Sequence, residues 1–197
     1  MDAPIAIIGW GSLIWELESL ALHVQGGWRQ GVGPQLPLEF SRVSAKRKGA
    51  LAVCVDLMDG IPCQTSVIAS KRLTLAEARV DLARRERSPE GFVGAFCAQT
   101  GRHWGRPQAA LPVAQWCRAG GWAGAVWTDL HSNFTAETGL MFSPETACDH
   151  LQSLEDDSLT EAVRYIEKAP PATNTTLRKH LRKDPWWQEQ VERVMEG

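Results

Sequence analysis

Glu86 occupies a place where a carboxylate is poorly solvated. On a helix that starts after Thr74, Leu75, Ala78 and Leu82 recur at i, i+3 and i+7 and define the side that packs inward. Glu86 follows Leu75 by eleven residues, close to three turns, so it continues that stripe, while Glu77, Arg84 and Arg87 point elsewhere. Lost hydration and the negative end of the helix dipole both favour the protonated form of such a group. A carboxylate of this kind is suited to take up and return a proton near neutral pH, and Glu86 is the candidate catalytic acid and base.

The second candidate is the loop Gly9-Trp10-Gly11-Ser12-Leu13, which follows the apolar run Ile5-Ala6-Ile7-Ile8. Small residues after a strand let backbone N–H groups face a ligand and hold a carboxylate or an oxyanion. Two other chemistries fail at this loop. A dinucleotide fingerprint needs glycine at position 14, which is Ile14, and a nucleophile elbow needs glycines on both sides of Ser12, where Trp10 and Ile14 stand. Arg42 and Ser44, two apart on a strand, share a face and could meet an anionic tail. Tyr165, the single tyrosine, could donate its hydroxyl to a carboxylate.

The elements that must position these groups follow from local pattern. Ile5–Gly9 reads as a buried strand. Residues 37–70 alternate strand-like runs with turns and read as one antiparallel sheet. Thr74 and Glu77 form a capping box that opens a helix reaching about Arg87, and Ser88-Pro89 ends it. Residues 92–97 and 124–130 read as further strands, and the stretch 98–123 between them has no clear period. Ser143-Pro144, a second capping box at Ser158 and Glu161, and Asp184-Pro185 open three helices in the tail. Strands first and helices last predict a single α+β domain over residues 1–197.

Composition narrows the function classes. The 197 residues are 44% hydrophobic and 22% charged with a net charge of -2, which argues against disorder and against a field that gathers nucleic acid. The basic runs at residues 46–48 and 178–183 read as solvated faces, and Trp186 and Trp187 as core. No run approaches the ~20 apolar residues that cross a bilayer, so no membrane partner is expected. The start at Met1 lacks the basic and apolar segments of a signal peptide, which points to the cytoplasm. Five scattered cysteines read as reduced thiols, and with five scattered histidines they carry no metal-ligand spacing, so no metal is expected.

Three segments together resemble the gamma-glutamylcyclotransferase-like family, particularly its ChaC-type branch. They are Trp10-Gly11-Ser12-Leu13-Ile14-Trp15, the segment Arg42 to Gly49, and the helix end Arg85-Glu86, in the family's order and spacing. The resemblance covers residues 5–97. Trp10 stands where the family has tyrosine, and Ser88 to Val93 lacks the family's glycine- and tyrosine-rich pattern. It implies a small closed mixed β-barrel with flanking helices and an intramolecular aminolysis that needs no cofactor. The α-amine of a γ-glutamyl group attacks its own γ-carbonyl, giving 5-oxoproline and a released amine, amino acid or peptide, with glutathione among the substrates to consider. It assigns proton transfer to Glu86 and substrate binding to Trp10, Gly11, Ser12 and Leu13, with Arg42 and Tyr165 as further contacts. The competing expectation is a catalytically silent module that binds a carboxylate on the same fold.

Overall fold

Ile5–Gly9 is buried along its whole length, as a strand covered on both faces must be, and it forms β1. The computed structural model describes residues 3–195. After β1 come β2 (Val24–Arg29), β3 (Gln35–Val43), β4 (Leu51–Val55), β5 (Ile61–Gln64) and β6 (Ser66–Ser70). Helix α1 (Leu75–Glu86) is followed by β7 (Val93–Cys97), β8 (His103–Trp104), α2 (Pro107–Gly120) and β9 (Gly124–Thr128). The tail holds α3 (Phe134–Thr138), α4 (Pro144–Gln152), α5 (Asp156–Lys168), α6 (Thr176–Leu181) and α7 (Pro185–Met195). The protein is of mixed α+β class. No helix among the described residues is long and apolar enough to cross a membrane.

The chain divides into two compact units, each assembled from separate stretches, where one domain is expected from the sequence. The first comprises the chain up to Leu36 with Gln64–Leu130, and the second Pro37–Cys63 with the chain from His131 onward. In the first, a six-stranded sheet runs in the order β2-β6-β1-β9-β7-β8, with β1 antiparallel to β6 and parallel to β9. Among the described residues the order ends at two edges, β2 and β8, and no ladder closes it. Helix α1 lays Ala78, Leu82 and Ala83 against Ile5, Ile7, Val93, Ala95 and Val126 of this sheet. Burying a leucine such as Leu82 in this way stabilises the unit by about 2–5 kcal/mol relative to alanine.

In the second unit β3 lies between β4 and β5 in a three-stranded sheet, joined by the tail helices. The antiparallel strands expected over residues 37–70 are present, but they are divided between two sheets. β6 joins the first unit's sheet, because Val67 and Ile68 pair with the apolar Ile8 and Ile7 of β1. Phe40 meets the ring of Tyr165 edge to face, with centroids 6.2 Å apart. Glu39, next to Phe40 on β3, is fully buried and accepts from the N–H groups of Phe40 and of Thr176 and Leu177 at the start of α6.

Helix boundaries agree with the sequence at Thr74 and Ser143 and differ at Ser158. Thr74 accepts from the Glu77 N–H, although Glu77 receives the Thr74 hydroxyl instead of reaching back to its backbone. Ser143 and Thr146 make the full reciprocal box. Ser158 lies inside α5 and is buried. The run Glu155-Asp156-Asp157 starts that helix earlier, because three acids favour the positive end of the dipole. The aperiodic stretch 98–123 contains β8 and α2, whose apolar pattern is interrupted by Pro112 within the helix.

Candidate active site

The loop after β1 tightens into a short 3-10 turn over Ser12–Ile14, closed by hydrogen bonds from Ile14 N–H to Gly11 and from Trp15 N–H to Ser12. At the start of such a turn the leading N–H groups, here those of Ser12 and Leu13, have no acceptor within the turn itself. Trp10 and Leu13 are buried and Ser12 is half-buried. Gly9 is required by a close approach: a Cβ there would stand 2.8 Å from a ring carbon of Trp28.

Helix α1 brings its carboxyl end to this loop. Its inner face carries two charged residues besides the apolar ones, Asp81 and Arg85, both almost completely buried. Asp81 is satisfied by Arg72, whose Nε and Nη2 lie 2.5 and 3.0 Å from its two oxygens, with His23 Nε2 at 3.6 Å. Arg85 has a different set of acceptors. Its Nε and Nη2 donate to the Glu16 carbonyl at 3.0 and 2.6 Å, Nη2 also donates to Ser12 Oγ at 3.3 Å, and Nη1 donates to Glu86 Oε1 at 2.8 Å.

Glu86 itself is the last residue of α1, and its side chain is 17% exposed against 3% for Arg85. The isolated carboxylate in an apolar wall that the stripe suggests is thus corrected. Glu86 sits at the rim of the stripe with a buried guanidinium as its partner, while Arg85 takes the deeper position. Arg87 adopts the left-handed conformation at φ 53° and caps the helix, so the chain turns away immediately after Glu86.

Two orphaned polar groups belong to residues next to Gly9. Ser66 is the cross-strand partner of Gly9, and its Oγ is buried without a hydrogen-bond partner among the described residues. The same is true of Nε1 of Trp28, whose ring lies against Gly9. Orphaned buried polar atoms are uncommon; Ser66 Oγ belongs to Gly9's cross-strand partner, whereas Trp28 turns its six-membered ring, and not Nε1, toward Gly9.

Arg42 and Tyr165 belong to the second unit and have structural partners there. Arg42 donates from Nη1 to the His131 carbonyl at 2.7 Å. Tyr165 is buried, with the guanidinium of Arg47 4.1 Å above its ring and Arg47 in turn paired with Glu161. The structure therefore brings Gly11, Ser12, Leu13 and Glu86 together and gives Arg42 and Tyr165 packing roles. Sequence reasoning missed Arg85 as the connecting group, although a signal was there: Arg85 follows Ala78 by seven residues and Leu82 by three.

A separate cavity of about 390 Å³ in the first unit shares no lining residue with this cluster; it is bounded by Pro4, Arg29, Val32, Trp116 and Trp122. None of the five cysteines forms a disulfide among the described residues. No family model matches the chain, and no curated protein or solved structure matches it.

Proposed function

We propose that the protein is a cytoplasmic enzyme of the gamma-glutamylcyclotransferase type, converting a small γ-glutamyl compound into 5-oxoproline and a released amine. The observation that carries the reading is the meeting of the Ser12 loop with the Glu86 carboxylate through one buried guanidinium. Glu86 takes a proton from the substrate's α-ammonium. The freed amine attacks the γ-carbonyl and forms the ring C–N bond. The bond to the leaving nitrogen breaks as Glu86 returns its proton there. The restored carboxylate then takes the surplus proton from the ring nitrogen and passes it to the released amine, which departs as its ammonium, so protons and charge balance without a cofactor.

The nucleophile is already part of the substrate, so the protein has to orient it, move protons from it to the leaving nitrogen and hold charge. The N–H groups of Ser12 and Leu13, with Gly11 permitting close approach, hold the substrate carboxylate or the developing oxyanion. Arg85 fixes Glu86 against the loop and adds positive charge beside it. Ser66 Oγ, on the cross-strand partner of Gly9, contributes a further contact. The reading includes a closed barrel, in which the sheet now ending at β2 and β8 curls until its edges are bridged. It rests on residues of the first unit alone.

The ion pair itself favours a second reading, a silent module in which Glu86 only neutralises Arg85 and the loop binds a carboxylate. The two separate in one assay: mass-spectrometric detection of 5-oxoproline from a panel of γ-glutamyl compounds. Release by wild type supports the enzyme, and binding of the same compounds without release supports the module.

A further inference from the structure

The second unit gathers Cys148 of α4, His180 of α6 and Asp184 of the corner before α7 into one cluster, and we propose that these side chains form a binding site for a divalent cation of the zinc type. Cys148 faces inward on α4 beside the buried Ala147 and Leu151. His180 is in the last turn of α6, and Asp184 follows it by four residues, at the corner before α7. The sulfur, a ring nitrogen of His180 and a carboxylate oxygen of Asp184 all lie within 4.8 Å of one another. Ligand atoms around tetrahedral zinc are about 3.3–3.8 Å apart, given bonds of about 2.0–2.3 Å, so closure needs side-chain movement on the order of 1 Å.

The cluster is already oriented for this use. Asp184 Oδ1 accepts from the Trp187 N–H at 3.0 Å, which caps α7 and leaves Oδ2 facing Cys148 Sγ at 3.9 Å. Glu145 Oε1 stands 3.8 Å from His180 Nδ1, an ion-pair separation that puts negative charge beside the imidazole. Gln152 directs its amide toward the sulfur at 3.8 Å. The carboxylates of Asp184 and Glu145 stand beside Cys148 and His180, so the site's charge attracts a cation. Thiol and imidazole donors select zinc over magnesium and calcium, which require oxygen ligands. On binding, the S–H bond breaks, its proton goes to solvent and a sulfur–metal bond forms. Three protein ligands leave the fourth position to water. The bound ion ties α4 to the corner between α6 and α7.

The test is titration of the chelator-stripped full-length protein with Co²⁺ alone. The expected result is saturation at a single equivalent with a thiolate-to-cobalt charge-transfer absorption, absent in Cys148→Ala and weakened at least about tenfold in affinity in His180→Gln. Half-buried His180 is chosen because its variant is expected to fold, as circular dichroism will check. Zn²⁺ at a hundredfold excess over its Kd should raise the wild-type melting temperature on the order of 5 °C, and this gain should disappear in His180→Gln. Absence of the absorption in wild type, or its survival in Cys148→Ala or at unchanged affinity in folded His180→Gln, would overturn the proposal.

Discussion

The Ser12 hydroxyl and the Glu86 carboxylate share the guanidinium of Arg85, which donates to the first at 3.3 Å and to the second at 2.8 Å. The same guanidinium grips the Glu16 carbonyl with two more N–H groups. One side chain therefore fixes both the loop and the carboxylate, and it does so from a buried position.

This geometry needs a planar fork. Lysine at position 85 keeps the charge but cannot span three acceptors, and it leaves some of these oxygens without their donor. Arg85→Lys is expected to lose about 1–3 kcal/mol of stability in urea denaturation and to lower turnover as well. An Arg85→Lys protein with wild-type stability and rate would show that the fork is not needed.

The orphaned Ser66 Oγ makes the opposite prediction for stability. Removing a hydroxyl with no protein partner costs the fold nothing, so Ser66→Ala should melt at or slightly above the wild-type temperature. If a substrate supplies the missing partner, KM rises in the same variant while kcat changes less. A clear drop in melting temperature would mean that the hydroxyl has a structural partner.

These two residues also show what the sequence allows one to read. The α1 register follows from Leu75, Ala78 and Leu82, and the loop follows from the apolar run ending at Gly9. The same arithmetic selects both Arg85 and Glu86 for the inner side, but composition alone cannot tell which of two neighbouring charges goes deeper. That depends on the Glu16 carbonyl, a group brought into reach only when β1 and α1 pack. Likewise β6 reads as a continuation of the strands before it. Its choice of β1 as neighbour is a long-range pairing that local alternation does not encode. Ser158 misled because capping chemistry is common inside helices too, and the acids ahead of it carried the stronger signal.

Glu39 gives a pH dependence. Burial outweighs its hydrogen bonds and raises its pKa above the ordinary 4.5. A carboxyl whose folded value is raised binds a proton more tightly when folded, so its contribution is fully present below the unfolded value. It is lost as pH rises through the folded one. Wild-type stability should therefore carry a component that falls as pH rises from about 4.5, and Glu39→Gln should lack that component while being less stable overall. Parallel stability profiles against pH for the two proteins would contradict this.

The thiols should differ in reactivity. Burial pushes Cys117 up to about 12, and burial with the nearby carboxylates pushes Cys148 up to about 11. The Thr100 hydroxyl, with lesser contributions from backbone N–H groups and Arg102, holds half-buried Cys97 below its ordinary value. Alkylation of the native protein at pH near 8, read by peptide mass spectrometry, should label Cys97 first and Cys117 and Cys148 last. Labelling of Cys117 ahead of Cys97 would contradict the assigned environments.

The central claim is that Glu86 moves the proton in a cyclising aminolysis, and the most direct measurement is 5-oxoproline release from γ-glutamyl compounds by wild type and Glu86→Gln. The account predicts release by wild type and a fall of about 100- to 10,000-fold in the variant, with the fold intact by circular dichroism. Release undiminished in Glu86→Gln would contradict the assigned base, and binding without release in wild type would contradict the enzyme itself.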